Sequence, residues 1–345
     1  MSQGSMGWRE FPTGAAQHPM RNFFLPLATA IVAVVIATAA WSQNYPSRPI
    51  TLIVPYGAGG SVDAVGRIIA PKLTERLGQS VVVIENVVGA GGILGTQRAA
   101  RAAPDGYTLL LSVESTMAIA KLVQPATVQY DSQKDFLPIS LVGTSPLVLA
   151  GKRTLPAETT DELIKLLRAN PGRFSYASSG TGTSLHVAGE MINIEGKVAM
   201  VHVPYRVGAQ MVTDLVGNQI DLAMLPLVMA LPNHRSGNIK VFGTTEPARS
   251  PVAPDLPSLA EHPDLRNVNV TVWFGLFAPA KTDAAIIERL HQAVVAALQD
   301  ADVRAKLAET GLRLVGNGPS EFAAFLAQEI EKYSAIVKAA NIKAE

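Results

Sequence analysis

The segments of this sequence best suited to chemistry are two glycine-rich loops, 55–63 and 86–95. Each follows an apolar run typical of a β-strand and leads into a segment with helical periodicity. Backbone N–H groups at a helix N-terminus lack intrahelical partners, and the helix dipole is positive there, so such loops attract anions. Glycine also lets a ligand approach the main chain without a Cβ in the way. The two loops therefore predict one anion site lined by backbone, and they leave open whether the anion is a phosphate or a carboxylate.

A third polar loop, 178–184, carries five hydroxyl side chains and two glycines in seven residues. One helix N-cap needs a single such side chain, so this composition favours ligand contact. Tyr56 and Tyr205 each follow a proline at a strand end, where they either wall a pocket or pack on the surface. Asp63 lies in a predicted first helical turn, where it stabilises the helix dipole or contacts the ligand. His186 is interpreted as a neighbour of the ligand and not as a catalytic group.

Several catalytic and cofactor motifs are incomplete in this sequence. The dinucleotide fingerprint G-x-G-x-x-G fails in both loops, because Val62 replaces the third glycine of one and Gly95 comes one position late in the other. No P-loop is present, and the six histidines lack metal-binding spacing. Asp63 stands where G-x-S-x-G of serine hydrolases needs its closing glycine. We expect no cofactor, no metal site and no enzymatic activity; an exported hydrolase using Ser61 or Ser184 is the alternative from another class.

The amino terminus is typical of an exported protein. Met20 and Arg21 precede an uncharged run over 23–40 that ends in small residues, which predicts a cleavable signal peptide within 1–42. A retained membrane anchor is the alternative. Removing residues 1–42 leaves equal numbers of basic and acidic residues, so the basic excess that nucleic-acid binding needs is absent. The chain has no cysteine, which excludes disulfides and a lipid anchor on cysteine, and we expect a periplasmic protein.

Apolar runs of strand length alternate with helix-period segments after residue 42, a pattern typical of α/β proteins with parallel sheets. The proline-rich stretch 246–269 is predicted to be an extended connection. Both halves of the chain repeat a strand, a glycine- or serine-rich loop and a helix, and such loops converge at the carboxyl ends of strands. Two lobes built in this way would trap a ligand between them. Strands are predicted over 50–54, 81–84, 107–111, 139–142, 146–150, 174–177, 201–205, 220–225 and 270–278, with helices near 283–299 and 320–338.

A family resemblance rests on motifs spread over residues 45–345. They are YPSRPI at 45–50, VPYGAGG at 54–60 with Asp63, GAGG at 89–92 with Gly95, PDGYTLL at 104–110, DFLPIS at 135–140, and VPYR at 203–206 with Gly208 and 214–215. In this order and spacing they resemble the Bug family, the periplasmic solute receptors of tripartite tricarboxylate transporters. The resemblance implies a two-lobed type II periplasmic-binding-protein fold. Lobe 1 would comprise 43–145 and 270–345, and lobe 2 would comprise 146–269.

The resemblance also implies a function and a set of ligand contacts. The protein would be a monomer that closes on a small organic carboxylate and delivers it to one large and one small integral membrane subunit. A subunit that senses the ligand for a signalling partner is the alternative among binding proteins. The expected ligand-binding residues are Tyr56, Gly57, Ala58, Gly59, Gly60, Ser61, Asp63, Ala90, Gly91, Gly92, Ser115, Ser178, Ser179, Thr181, Gly182, Thr183, His186 and Tyr205.

This sequence departs from the family pattern at three places. Val87 and Val88 stand where family members usually carry Arg-Pro, and Tyr56 stands where they usually carry Phe. The segment 222–226 is apolar, whereas the family commonly offers a polar residue to the cleft there. A more apolar second lobe favours a less polar or aromatic carboxylate over citrate.

Overall fold

The computed structural model describes residues 1, 3–4, 7–10, 45–78, 81–206, 208–339 and 342. The chain divides into two compact units, Met1–Tyr45 and Pro46–Glu345. In the first unit the described residues form no helix or strand, and the predicted signal peptide lies outside the described residues. Within the described ranges, no helix has the length and apolar character needed to cross a membrane.

The helices and strands of the second unit alternate along the chain. The strands are β1 Ile50–Val54, β2 Val82–Asn86, β3 Thr108–Val113, β4 Phe136–Lys152, β5 Ser175–Ser178, β6 Val201–Pro204, β7 Leu222–Pro226, β8 Ile239–Thr244, β9 Thr271–Pro279 and β10 Arg313–Asn317. The helices are α1 Ser61–Arg76, α2 Ile93–Ala100, α3 Ala120–Val123, α4 Thr160–Ala169, α5 Ser184–Glu195, α6 Gly208–Val216, α7 Leu227–Arg235, α8 Ala284–Gln299, α9 Ala301–Glu309 and α10 Pro319–Ala339. A π-helical turn, Ser115–Ile119, precedes α3, and short 3₁₀ turns lie at Ala90–Gly92, Leu259–Glu261 and Pro263–Leu265.

The strands form one sheet in the order β2-β1-β3-β9-β4-β7-β5-β6, with β10 and β8 also paired to β4. We call β1, β2, β3, β9, β10 and the start of β4 the first half-sheet, and the end of β4 with β5 to β8 the second half-sheet. Each half-sheet contains a parallel trio, β2-β1-β3 or β6-β5-β7. The antiparallel pairs all involve β4 or β9. This is the α/β architecture that the alternating pattern predicts.

Strand β4 joins the two half-sheets. It pairs with β9 as far as Pro146, and from Leu147 onward it pairs with β7. The sequence predicts two separate runs here, 139–142 and 146–150, whereas the structure has one strand of 17 residues. Gly143, Thr144 and Ser145 between the two runs continue the strand, and the pairing partner changes just after them, at Pro146.

Five elements of the structure have no counterpart among the elements predicted from the sequence: α3, α7, β8, α9 and β10. Helix α7 contains Pro232, which interrupts the helical pattern. Strand β10 has no buried residue and so lacks the apolar alternation by which a strand is recognised. The 246–269 segment is an irregular connection, as predicted, but it includes two 3₁₀ turns, the first with a Ser258–Glu261 capping box.

Candidate functional site

A cavity of about 850 Å³ lies between elements of the two half-sheets. From the first half-sheet, the loops before α1 and α2 and the end of β3 line it. From the second, the loop before α5, the segment after β6, and helices α6 and α7 line it. The lining residues are Pro55, Tyr56, Gly57, Gly60, Ser61, Val62, 88–92, 113–115, Ser179, Gly180, Leu185, 204–206, Gly208, Met211, Pro226, Met229 and Val272.

Two helices begin at this cavity with a glycine at the N-cap. Gly60 precedes α1 and Gly92 precedes α2, and neither offers a side chain to cap the first turn. The N–H groups in the first turn of α1 are therefore available to an anion. In α2 the Ile93 N–H donates to the Ala90 carbonyl and the Leu94 N–H to the Gly89 carbonyl at 3.4 Å, so at this helix the dipole is the feature that favours an anion. Helix α5 of the second half-sheet differs, because the Thr183 hydroxyl at its N-cap accepts a hydrogen bond from the His186 N–H. The glycine N-caps at the cavity thus belong to the first half-sheet.

The second loop needs glycine for both conformation and space. Gly91 has φ +63° and Gly92 has φ +97°, a region that favours glycine. A Cβ on Gly92 would lie 2.7 Å from Thr116 Cγ2 and 2.9 Å from Tyr56 Cζ, so the Tyr56 ring packs directly on this turn. A Cβ on Gly91 would instead point across the cavity, 3.8 Å from Thr183 Cγ2 on the opposite half-sheet.

The buried carboxylate of Asp63 fixes the conformation of the first loop through hydrogen bonds. Its side chain is 2% exposed, and one carboxylate oxygen accepts hydrogen bonds from the Gly59 N–H at 2.9 Å and from Arg67 Nε at 2.8 Å. The other oxygen accepts from Asn86 Nδ2 at 3.0 Å, and the same amide donates to the Tyr56 carbonyl. Burial alone would raise the pKa of Asp63, but the hydrogen bonds from Arg67, Gly59 and Asn86 hold it below its usual value.

We expect Asp63→Ala to lower the free energy of unfolding by about 1–3 kcal/mol, because it removes charge-assisted hydrogen bonds from a buried position. It should also weaken ligand binding, since the Gly59 N–H loses the contact that fixes the loop. Urea unfolding and calorimetric titration measure the two effects. As a control, Asp302→Ala removes an exposed carboxylate paired with Lys306 and should change neither by much. Unchanged affinity in Asp63→Ala would contradict the positioning role.

A buried acid, Glu114, forms part of the cavity wall at the end of β3, and sequence reasoning missed it. The residue is 1% exposed. Its Oε1 accepts hydrogen bonds from Ser184 Oγ at 2.5 Å and from Ser115 Oγ at 3.2 Å, and its Oε2 accepts from the Trp273 N–H at 3.0 Å. Burial is the main cause that raises the pKa of Glu114 to about 7. The signal available in the sequence was an acidic residue directly after a strongly apolar strand.

Contacts with His186 and His202 fix the conformation of the third loop, 178–184. Ser178 Oγ lies 2.6 Å from His202 Nε2, and the His202 ring stacks on His186 at 4.1 Å between centroids. The Gly182 N–H donates to His186 Nδ1 at 3.1 Å. Burial, followed by the neighbouring His186, lowers the pKa of His202 to about 4. The loop geometry is therefore held by a neutral His202 near neutral pH.

The structure brings many of the predicted site residues to the cavity and places others behind its wall. The predicted residues that line the cavity are Tyr56, Gly57, Gly60, Ser61, Ala90, Gly91, Gly92, Ser115, Ser179 and Tyr205. Those that lie outside the lining are Ala58, Gly59, Asp63, Ser178, Thr181, Gly182, Thr183 and His186. Of the second set, Asp63, Ser178 and His186 make the contacts described above that shape the loops.

The geometry does not assemble the parts of a serine hydrolase around Ser184. Its hydroxyl donates to Glu114, and its N–H donates to Ser115 Oγ at 3.2 Å. The nearby His186 instead accepts from the Gly182 N–H. A triad needs a histidine on the nucleophile hydroxyl, with an acid behind that histidine. Over the part of the chain that the structure describes, no cluster of acidic and histidine side chains could hold a metal ion either.

Comparison with known proteins identifies the family. The profile described as "Tripartite tricarboxylate transporter family receptor" matches residues 65–342. The chain belongs to this receptor family. Protein BugT of Bordetella pertussis is 34% identical over 323 residues, which cover 91% of this chain and 97% of BugT. The resemblance found in the sequence is therefore confirmed.

Solved structures of receptors from Rhodopseudomonas palustris share the fold. MatC, solved with bound malate, is 32% identical with a TM-score of 0.80, and the match covers 85% of this chain and 100% of MatC. A second protein of that organism, solved with adipate, is 30% identical with a TM-score of 0.83. The match covers 87% of this chain and 99% of that protein's chain. The two-lobed periplasmic-binding-protein fold predicted from the sequence is confirmed by these relationships.

Proposed function

We propose that this receptor captures a small organic carboxylate in the 850 Å³ cavity and delivers it to a tripartite tricarboxylate-type membrane transporter in the periplasm. The observation that carries the proposal is the pair of glycine-capped helices, α1 and α2, that open on one cavity. The malate and adipate bound by related receptors support a carboxylate as the anion. A phosphate remains chemically suited to such loops but has no comparable support.

Capture would proceed by closure of two lobes around the ligand. The lobes would be 43–145 with 270–345, and 146–269, a division supported by the change of β4 partner after Pro146. The chain would cross between the lobes a second time near residue 270. There the Thr245 hydroxyl accepts a hydrogen bond from the Leu147 N–H at 3.1 Å and donates one to the Val270 carbonyl. This side chain ties together three crossing segments. A ligand that contacts both lobes would favour the closed form by its higher affinity for that form.

The receptor would act without catalysis, as a monomer exported by a cleavable signal peptide within residues 1–42. Its partners would be the carboxylate and the large and small membrane subunits of the transporter. The receptor family supports this assignment, and so does Ser184, which contacts Glu114 and Ser115 and not a histidine. Nucleic acid is not an expected partner, because the chain carries almost no net charge.

A thermal-shift screen of the purified protein against mono-, di- and tricarboxylates tests the function. A ligand present at about 100 times its dissociation constant should add about 2.7 kcal/mol to the free energy of unfolding. Inorganic phosphate is the matched anion without a carboxylate and should give little shift. No shift with any carboxylate, or hydrolysis of ester substrates that is lost in Ser184→Ala, would refute the proposal.

A further inference from the structure

The charged side chains that line the cavity in the described part of the chain are Arg206 and Glu114. Arg206 is exposed, whereas Glu114 is buried. The charged group of the cavity interior is thus an acid, in a site proposed to bind an anion. A buried acid in the cavity limits which anions can bind there, because it disfavours a second negative charge beside it.

Glu114 is fixed in its position and has no neutralising partner. Its two oxygens accept three hydrogen bonds, from Ser184, Ser115 and the Trp273 N–H, so the carboxylate cannot turn away from the cavity wall without losing them. None of the described basic side chains forms an ion pair with it. Lys332 pairs with Glu329 at 2.6 Å, and Glu329 accepts a hydrogen bond from Trp273 Nε1.

The part of the lining contributed by helices of the second half-sheet is apolar. It consists of Leu185 from α5, Gly208 and Met211 from α6, and Met229 from α7, with Pro226 beside them. Methionine side chains adapt to irregular apolar shapes. A ligand carboxylate at the glycine-capped helices would therefore have its remaining atoms against apolar side chains and near Glu114.

We propose that the cavity selects carboxylates with a single carboxyl group and an apolar body, and that Glu114 is the residue that rejects a second carboxylate. The inference rests on the proposed function and narrows its substrate class. A second carboxylate would have to be desolvated beside a like charge in a site where the dielectric is low. Rejection by an unfavourable charge is a common route to specificity.

The experiment is isothermal titration calorimetry at about pH 8, where an acid with the pKa of Glu114 is mostly ionised. The probes are two matched pairs: hexanoate with adipate, and benzoate with terephthalate. We expect the wild-type protein to bind at least one monocarboxylate at least about tenfold more tightly than its matched dicarboxylate. In Glu114→Gln this ratio should fall by about tenfold, because the amide carries no charge. Its oxygen can still accept from the Trp273 N–H, and its NH₂ group can donate to the serine hydroxyls.

Glu329→Gln is the matched control, since it removes a buried acid that does not line the cavity. The charge of Glu329 helps to raise the pKa of Glu114, so its removal favours the ionised form of Glu114 and should leave the ratio at about pH 8 unchanged within about threefold. The inference is overturned if, in every pair that binds, the dicarboxylate binds the wild type as tightly as its matched monocarboxylate. It is also overturned if Glu114→Gln keeps the wild-type ratio or if both variants change it equally. Should Glu114→Gln fail to fold, the wild-type ratio decides alone. Absence of binding for all four probes would instead refute the proposed carboxylate receptor itself, and the inference with it.

Discussion

Replacing Gly91 with valine should weaken carboxylate binding by at least about a hundredfold while the protein stays folded. Gly91 lines the cavity in the turn before α2. A Cβ there would point toward Thr183 Cγ2 at 3.8 Å, so the two methyl groups of valine would occupy the gap between the half-sheets. The substitution would both fill the space next to the α2 N-terminus and obstruct closure. Titration calorimetry with the carboxylate that gives the largest thermal shift measures the loss.

The control for this variant is Gly78→Val. Gly78 also has a positive φ, +84°, but a Cβ at that position meets nothing within 4 Å. Both variants pay the cost of placing a β-branched residue in the left-handed region, about 1–3 kcal/mol. Only Gly91→Val changes the cavity. Equal affinities for the two variants would show that the turn before α2 does not seat the ligand.

The glycine loops could be predicted from the sequence because everything that defines them is local. An apolar run, a glycine-rich segment and a helical period are adjacent along the chain, and these set the backbone of the site. Strand β1 occupies the predicted residues 50–54, and α1 and α2 begin in the last residues of the two loops, at Ser61 and Ile93. The order of the strands in the sheet could not be predicted from local sequence, because β4 pairs with strands from both halves of the chain.

Glu114 shows what local patterns cannot give. Its hydrogen-bond partners Ser184 and Trp273 lie 70 and 159 residues away along the chain. The apolar strand before it is a local signal, but it does not establish burial, because an acidic residue after a strand is usually solvated. The roles of Asp63 and His186 have the same limit. Their residue types and positions in the sequence predict that they lie near the ligand loops. Only the fold shows whether such a side chain lines the cavity or supports the loop from outside the lining.

Glu114→Gln should make the free energy of unfolding less dependent on pH. Burial raises the pKa of Glu114 from 4.5 to about 7 in the folded protein. Between those values the folded state keeps a proton that the unfolded state releases, so the wild-type free energy of unfolding falls as pH rises through this window and levels off above it. The loss is at most about 3 kcal/mol, at about 1.4 kcal/mol per pKa unit. The variant has no proton to release and lacks this loss.

Urea unfolding at about pH 4.5 and about pH 8 measures the effect as a difference between wild type and variant. The stability of Glu114→Gln relative to wild type should rise between the two conditions, by up to about 3 kcal/mol. The control, Glu75→Gln, removes an exposed acid whose pKa Lys72 lowers, so its relative stability should change slightly in the opposite direction. The same change in both variants would contradict a raised pKa at Glu114. A group that lowers stability when ionised, yet lines the ligand cavity, fits a role in ligand selection better than a role in folding.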